Sequence, residues 1–83
     1  MTHTLMNQKR IHTCERIETL DGGPIVGQRC KLRLWNGDQH TDIHTSAVTD
    51  WWCGYPYAIG EIRIETRNTV YCGQYVQKEV YAQ

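Results

Sequence analysis

Apolar and polar residues alternate with a period of two along much of the chain. The clearest run is residues 28–35. Cys30, Leu32 and Leu34 fall on one face there, and Arg29, Lys31, Arg33 and Trp35 on the other, as in a half-buried β-strand. Asn36-Gly37 follows at once, and this pair tolerates the two positive φ values of a type I′ hairpin. Residues 38–45 are therefore expected to return antiparallel, and their polar character suits an edge strand. Residues 11–20 are rich in Ile and Thr and predict a strand, broken by Asp21-Gly22-Gly23-Pro24. Residues 61–66 resume the alternation with Ile62 and Ile64 inward and Arg63 and Glu65 outward. Arg67-Asn68 fits a tight turn, because Asn accepts left-handed geometry. Residues 69–75 then run back with Val70 and Cys72 facing in, and residues 76–81 suit a short last strand or a single helical turn. Between these hairpins, residues 45–48 lead into 50–60, whose Gly54, Pro56, Gly60 and four aromatics predict a loop or wide turn. No window of eleven residues carries an apolar stripe at helical spacing.

These elements predict an all-β fold: a small five-stranded antiparallel SH3-like or Sm-like barrel, or a bent sheet. Residues 1–10 are polar and aperiodic and read as a flexible N-terminal arm; residues 11–83 form one β domain. A chain of 83 residues can build only a thin core, which leaves little room for a deep cleft.

Three segments in order carry a resemblance: Leu32-Arg33-Leu34-Trp35-Asn36-Gly37, Thr45-Ser46-Ala47-Val48, and Glu65-Thr66-Arg67-Asn68-Thr69-Val70-Tyr71. Together they resemble a loose group of short bacterial and phage-borne small β-barrel proteins, over the middle and late chain. The resemblance implies a β fold and carries no catalytic set. The phage association implies action on a host enzyme or defence system, as an inhibitor or adaptor. The stretch from Trp51 to Tyr57 is not part of the shared pattern, so this chain's own specificity is expected there.

Composition sharpens that expectation. Formal net charge is zero, whereas nucleic-acid and membrane-surface binders usually carry a basic excess. Phe is absent, so Trp35, Trp51, Trp52 and five tyrosines supply the aromatic volume. Trp and Tyr have a polar edge and suit half-exposed positions. Trp51, Trp52, Tyr55 and Tyr57 crowd into seven residues, too many for so small an interior. Adjacent Trp51 and Trp52 point to opposite sides if the backbone is extended. Exposed rings of this kind dominate binding hot spots; alternatively, the same loop folds over and caps an open barrel end. The expected function is a non-enzymatic protein-binding module using Trp35, Asp50, Trp51, Trp52, Tyr55 and Tyr57.

Other chemistry is weaker. Cys14, Cys30, Cys53 and Cys72, with His12, His40 and His44, could supply metal ligands, but the only close pairs are His12-x-Cys14 and His40-x₃-His44, and no two cysteines lie close together as a zinc site usually has them. Buried free Cys is common, so no metal or cofactor is expected. Cys53 with His44 could be drawn as a nucleophile and base, but no local catalytic signature or phosphate loop accompanies them, so no enzyme is expected. Lys31, Arg33 and Arg63 beside Trp35 would suit single-stranded RNA or DNA, the main alternative. A further alternative is an oligomer that closes over a small ligand at a shared pocket. A homodimer could form through residues 38–45 or 76–81. Neither a signal-peptide core nor a transmembrane run is visible, so the expected setting is the cytoplasm, with reduced thiols and no membrane partner.

Overall fold

The computed structural model describes residues 9–54 and 60–76. Tyr55, Tyr57 and residues 77–81 lie outside the described residues. Six strands follow one another: β1 (Arg10–Thr19), β2 (Lys31–Asn36), β3 (Gln39–His44), β4 (Val48–Cys53), β5 (Glu61–Thr66) and β6 (Thr69–Val76). They form a single sheet in the order β3-β2-β1-β6-β5-β4. β1 and β6 run parallel, while the other neighbours are antiparallel. The described residues include no helix long and apolar enough to cross a membrane.

The fold is therefore all-β, but the sheet is open, mixed and six-stranded rather than a closed, antiparallel, five-stranded barrel. The extra strand is β4, where the sequence predicts a loop. Val48, Thr49, Trp51 and Trp52 have high strand propensity, but apolar side chains on both faces erase the alternation that would announce it. Residues 39–53 form one run bent at 45–47, pairing first with β2 and then with β5. The run thus supplies both edges of the sheet. A flat six-stranded sheet would hold its edges roughly 24 Å apart, yet four peptide steps from His44 to Val48 span at most about 14 Å. The sheet must curl, giving a concave inner face and a convex outer one.

The bend is held from the segment that precedes β2. Thr45 N donates to Cys30 O at 2.8 Å, Val48 N to Gln28 O at 2.9 Å, and Gly27 N to Val48 O at 2.8 Å. The Thr45 hydroxyl is buried; it accepts from Cys30 N at 3.0 Å and donates to Ser46 O at 2.6 Å. Arg29 Nε donates to Thr45 O at 2.8 Å.

The two hairpins turn where the sequence places them, with different geometry. Asn36 pairs with Gln39, so the central residues are Gly37 and Asp38. Only Gly37 has a positive φ, of 64°. That is the glycine-first requirement of a type II′ turn rather than type I′. At 67–68 the chain reverses with no positive φ at Asn68. Here Thr66 Oγ1 donates to Thr69 O at 3.2 Å, and Lys9 Nζ ties the corner by donating to Thr66 O at 2.9 Å and Glu65 Oε2 at 2.6 Å.

The inner face holds Cys14, Ile17, Cys30, Leu32, Leu34, Val48, Ile62 and Ile64, with Ile43, Tyr71 and Tyr75 packed against them. β6 has the opposite parity to that read from its sequence: Tyr71, Gly73 and Tyr75 face in, and Val70 and Cys72 face out. Cys72 is buried nonetheless, because the register sets it in one outer row with Thr13, Arg63 and Trp52. A bulge in β1 fixes this arrangement. Thr13 is opposite Cys72 and Arg16 opposite Gln74, so three steps on β1 match two on β6.

Cys30 lies beneath the bend, its Sγ 3.8 Å from Asp21 Oδ1. Burial first, then the Asp21 carboxylate, push its thiol up to about 11. The folded state therefore holds this proton more tightly than the unfolded chain does. The resulting stability is complete below the ordinary thiol value of 9.0 and is lost as pH rises toward about 11, at most about 2–3 kcal/mol. Urea midpoints should thus fall between pH 9 and 11, and the fall should be shallower in Cys30→Ala. Equal slopes for the two proteins would show that the thiol is not held neutral.

Candidate functional site

The sheet separates the aromatic residues that the sequence groups together. Trp35 on β2 and Trp52 on β4 both lie on the outer face, with β1, β6 and β5 between them, about 19 Å along the sheet. Trp51, opposite Ile64 of the core, lies on the inner side. The expected single surface of Trp35, Trp51 and Trp52 does not form, and Tyr55 and Tyr57 lie outside the described residues.

Trp35 is engaged within the molecule. Its Nε1 donates to Glu18 Oε1 at 3.2 Å. The Arg16 guanidinium lies 5.0 Å from its ring centroid, a cation–π distance, and the His40 ring centroid is at 4.6 Å. Arg16 is fixed in turn, donating through Nη2 to Gly37 O at 3.0 Å. This cross-strand stack braces β1, β2 and β3.

The basic strip also does not form. Arg33 meets Asp42 with both Nε and Nη2, at 2.7 and 2.9 Å. These bonds hold the Asp42 carboxyl below its usual range. Arg63 lies three strand positions from β2, where Lys31 and Arg33 sit, and pairs with Glu61 at 3.5 Å. Arg33 is neutralised from the neighbouring strand β3, which a one-strand reading does not show, and Arg63 by Glu61 two residues before it on β5 itself.

The thiols are free: Cys14, Cys30 and Cys72 buried, Cys53 exposed on β4. Burial raises the Cys14 thiol, with the neighbouring Cys72 adding to it. Both Cys14 and Cys30 are thus moved away from the thiolate a nucleophile requires. Among the described residues, no three His, Cys, Asp or Glu side chains converge as metal ligands would.

The free side of β4 is different. Gly54 N donates to Glu61 O at 2.8 Å, which fixes the phase of the ladder. Residues 50, 52 and 54 turn their backbone groups toward β5, and Trp51 and Cys53 turn theirs away. Trp51 N donates instead to its neighbour's Asp50 Oδ1 at 2.8 Å. The Trp51 ring is 39% exposed, although it faces the core side, because β4 is the last strand. Asp50 is paired across the ladder with Glu65, whose charge Lys9 meets. This end of the sheet carries Asp50 and Trp52 on its outer side and Trp51 on its inner side.

A second feature lies between the predicted strands. Gln28 N donates to Ile25 O at 3.0 Å, and Gly27 has a φ of 94°, as at the third position of a type II turn. The turn leaves Ile25 and Val26 exposed, and the Gly27–Val48 bond anchors it to the start of β4. The sequence signal is an apolar pair immediately before a glycine.

No protein-family model matches the chain, and no curated protein or solved structure shows significant similarity to it.

Proposed function

We propose that this chain is a non-enzymatic protein-binding module, an inhibitor or adaptor, that docks through the β4 end of its sheet. The observation that carries the reading is Trp51: a large aromatic residue, 39% exposed, on an edge strand with no neighbouring strand on one side among the described residues. Rings so placed give wide contact at small entropic cost. The exposed Ile25 and Val26, anchored to the start of β4, extend the apolar surface. Trp35, consumed by its own stack, acts as a brace. The raised Cys14 and Cys30 thiols do not favour nucleophilic chemistry, and four free thiols suit a reducing compartment such as the cytoplasm.

Affinity capture from the native host, with wild type beside single variants, tests the reading. Trp51→Ala should lose the captured protein by about tenfold or more with an unchanged thermal midpoint. Trp35→Ala should keep the partner and lower the midpoint. Retention of every wild-type interaction by Trp51→Ala would end this reading.

A further inference from the structure

We infer that the open side of β4 takes up an extended segment of a partner protein as an added antiparallel strand, with apolar side chains toward Trp51 and basic ones toward Asp50. This rests on the β4 surface as the docking end and goes on to name what docks.

Four observations converge. Backbone groups of Trp51 and Cys53 point away from β5. Among the described residues, no backbone hydrogen bond reaches that side of β4 beyond Val48. An unpaired row of this kind is a template for another strand. Next, among the described residues the one bond on that row is the local one from Trp51 N to Asp50 Oδ1, between exposed groups that can exchange partners. An incoming carbonyl can accept the Trp51 N–H, releasing the carboxylate for a cation on the newcomer.

Third, the two sides of the edge differ in chemistry. Trp51 and Cys53 share the inner side and Asp50 the outer, where Glu65 is its cross-strand neighbour. An added strand continues this alternation, so it should be apolar on the Trp51 side and carry a basic residue beside Asp50 on the other, where Trp52 also lies. Charge also disfavours a second copy: two β4 edges joined about a two-fold axis would bring both Asp50 carboxylates to one junction. Fourth, the opposite edge does not compete. β3 is polar, and its Asp42 is already bound to Arg33.

The test is an amide NMR titration of the full-length protein with a short peptide of alternating lysine and valine. In an antiparallel addition, residues opposite Trp51 and Cys53 share their side of the sheet and exchange both hydrogen bonds with them. Valine amides should therefore face β4 and lysine amides face solvent. The largest shifts are expected at the Trp51 and Cys53 amides. N-methylation of the valines should weaken binding by about tenfold or more, while methylation of the lysines changes it less than about twofold. Asp50→Asn should weaken it several-fold and flatten its salt dependence.

If those amides shift but neither methylation pattern matters, the docking surface stands and strand addition is wrong. Loss with lysine methylation alone would overturn the antiparallel orientation. If the same amides move with protein concentration and the mass doubles in sedimentation, the occupant is a second copy and the inference is overturned. No shift at 51–53 at millimolar peptide removes both the inference and the β4 docking reading.

Discussion

Gly73→Ala is expected to destabilise the protein by roughly 3 kcal/mol or more, or to prevent folding. Gly73 has no positive φ, so its backbone suits any residue and the effect is purely one of space. A Cβ at this position would lie 2.6 Å from the Cys14 carbonyl oxygen and 3.3 Å from both Cys14 Sγ and Ile17 Cγ1. The first contact is with backbone, in a bulge wedged between two paired strands, and neither strand can retreat without opening the sheet at its centre. Gly60→Ala is the comparison. There the nearest atom is the movable end of Gln74, at 2.8 Å, and the difficulty is a φ of 85°. That strain costs about 1–2 kcal/mol. Urea unfolding of both variants measures the difference. A Gly73→Ala midpoint equal to wild type would mean that β1 does not bulge against β6 as described.

The same glycine shows which parts of the fold the sequence discloses. Residues 28–36 and 61–66 read correctly because each alternates cleanly, with branched apolar residues on one side and charges on the other. β6 does not. Val70 and Cys72 make one apolar set, and Tyr71, Gly73 and Tyr75 another. A tyrosine can cover a core or meet water, so parity alone cannot choose. The choice is made by β1, 55 or more residues away in the chain, whose bulge leaves room at its partner for no side chain at all. β4 was hidden for a related reason: Trp51 and Trp52 make both faces apolar. The binding reading suffers from the same non-locality. Trp35 is as aromatic as Trp51, but Arg16, Glu18 and His40 arrive from neighbouring strands to occupy it. Likewise, Arg33 becomes unavailable only when β3 brings Asp42 beside it. Local pattern discloses strands and turns; the charge and exposure of a surface depend on which strands become neighbours.

Ile17→Ala and Ile11→Ala form the second expected result, a large asymmetry within one strand. Both residues are odd-numbered positions of β1, and an unbroken strand would set them on one face. The bulge between Thr13 and Arg16 reverses the phase between them. Ile17 is 0% exposed and belongs to the core, while Ile11 is 68% exposed on the outer side. Truncating Ile17 removes three buried carbon atoms and leaves a cavity bordered by a bulged backbone that cannot collapse freely. The expected cost is about 2–5 kcal/mol, a large share of what a domain of this size commands. Ile11→Ala should change stability by less than about 0.5 kcal/mol. Chemical denaturation with a common slope for both variants gives the two values directly. Similar losses at the two sites would place both isoleucines on one face, which requires a straight β1. A straight β1 would in turn remove the crowding at Gly73, so the alanine variants at 11, 17 and 73 test one backbone feature from three sides.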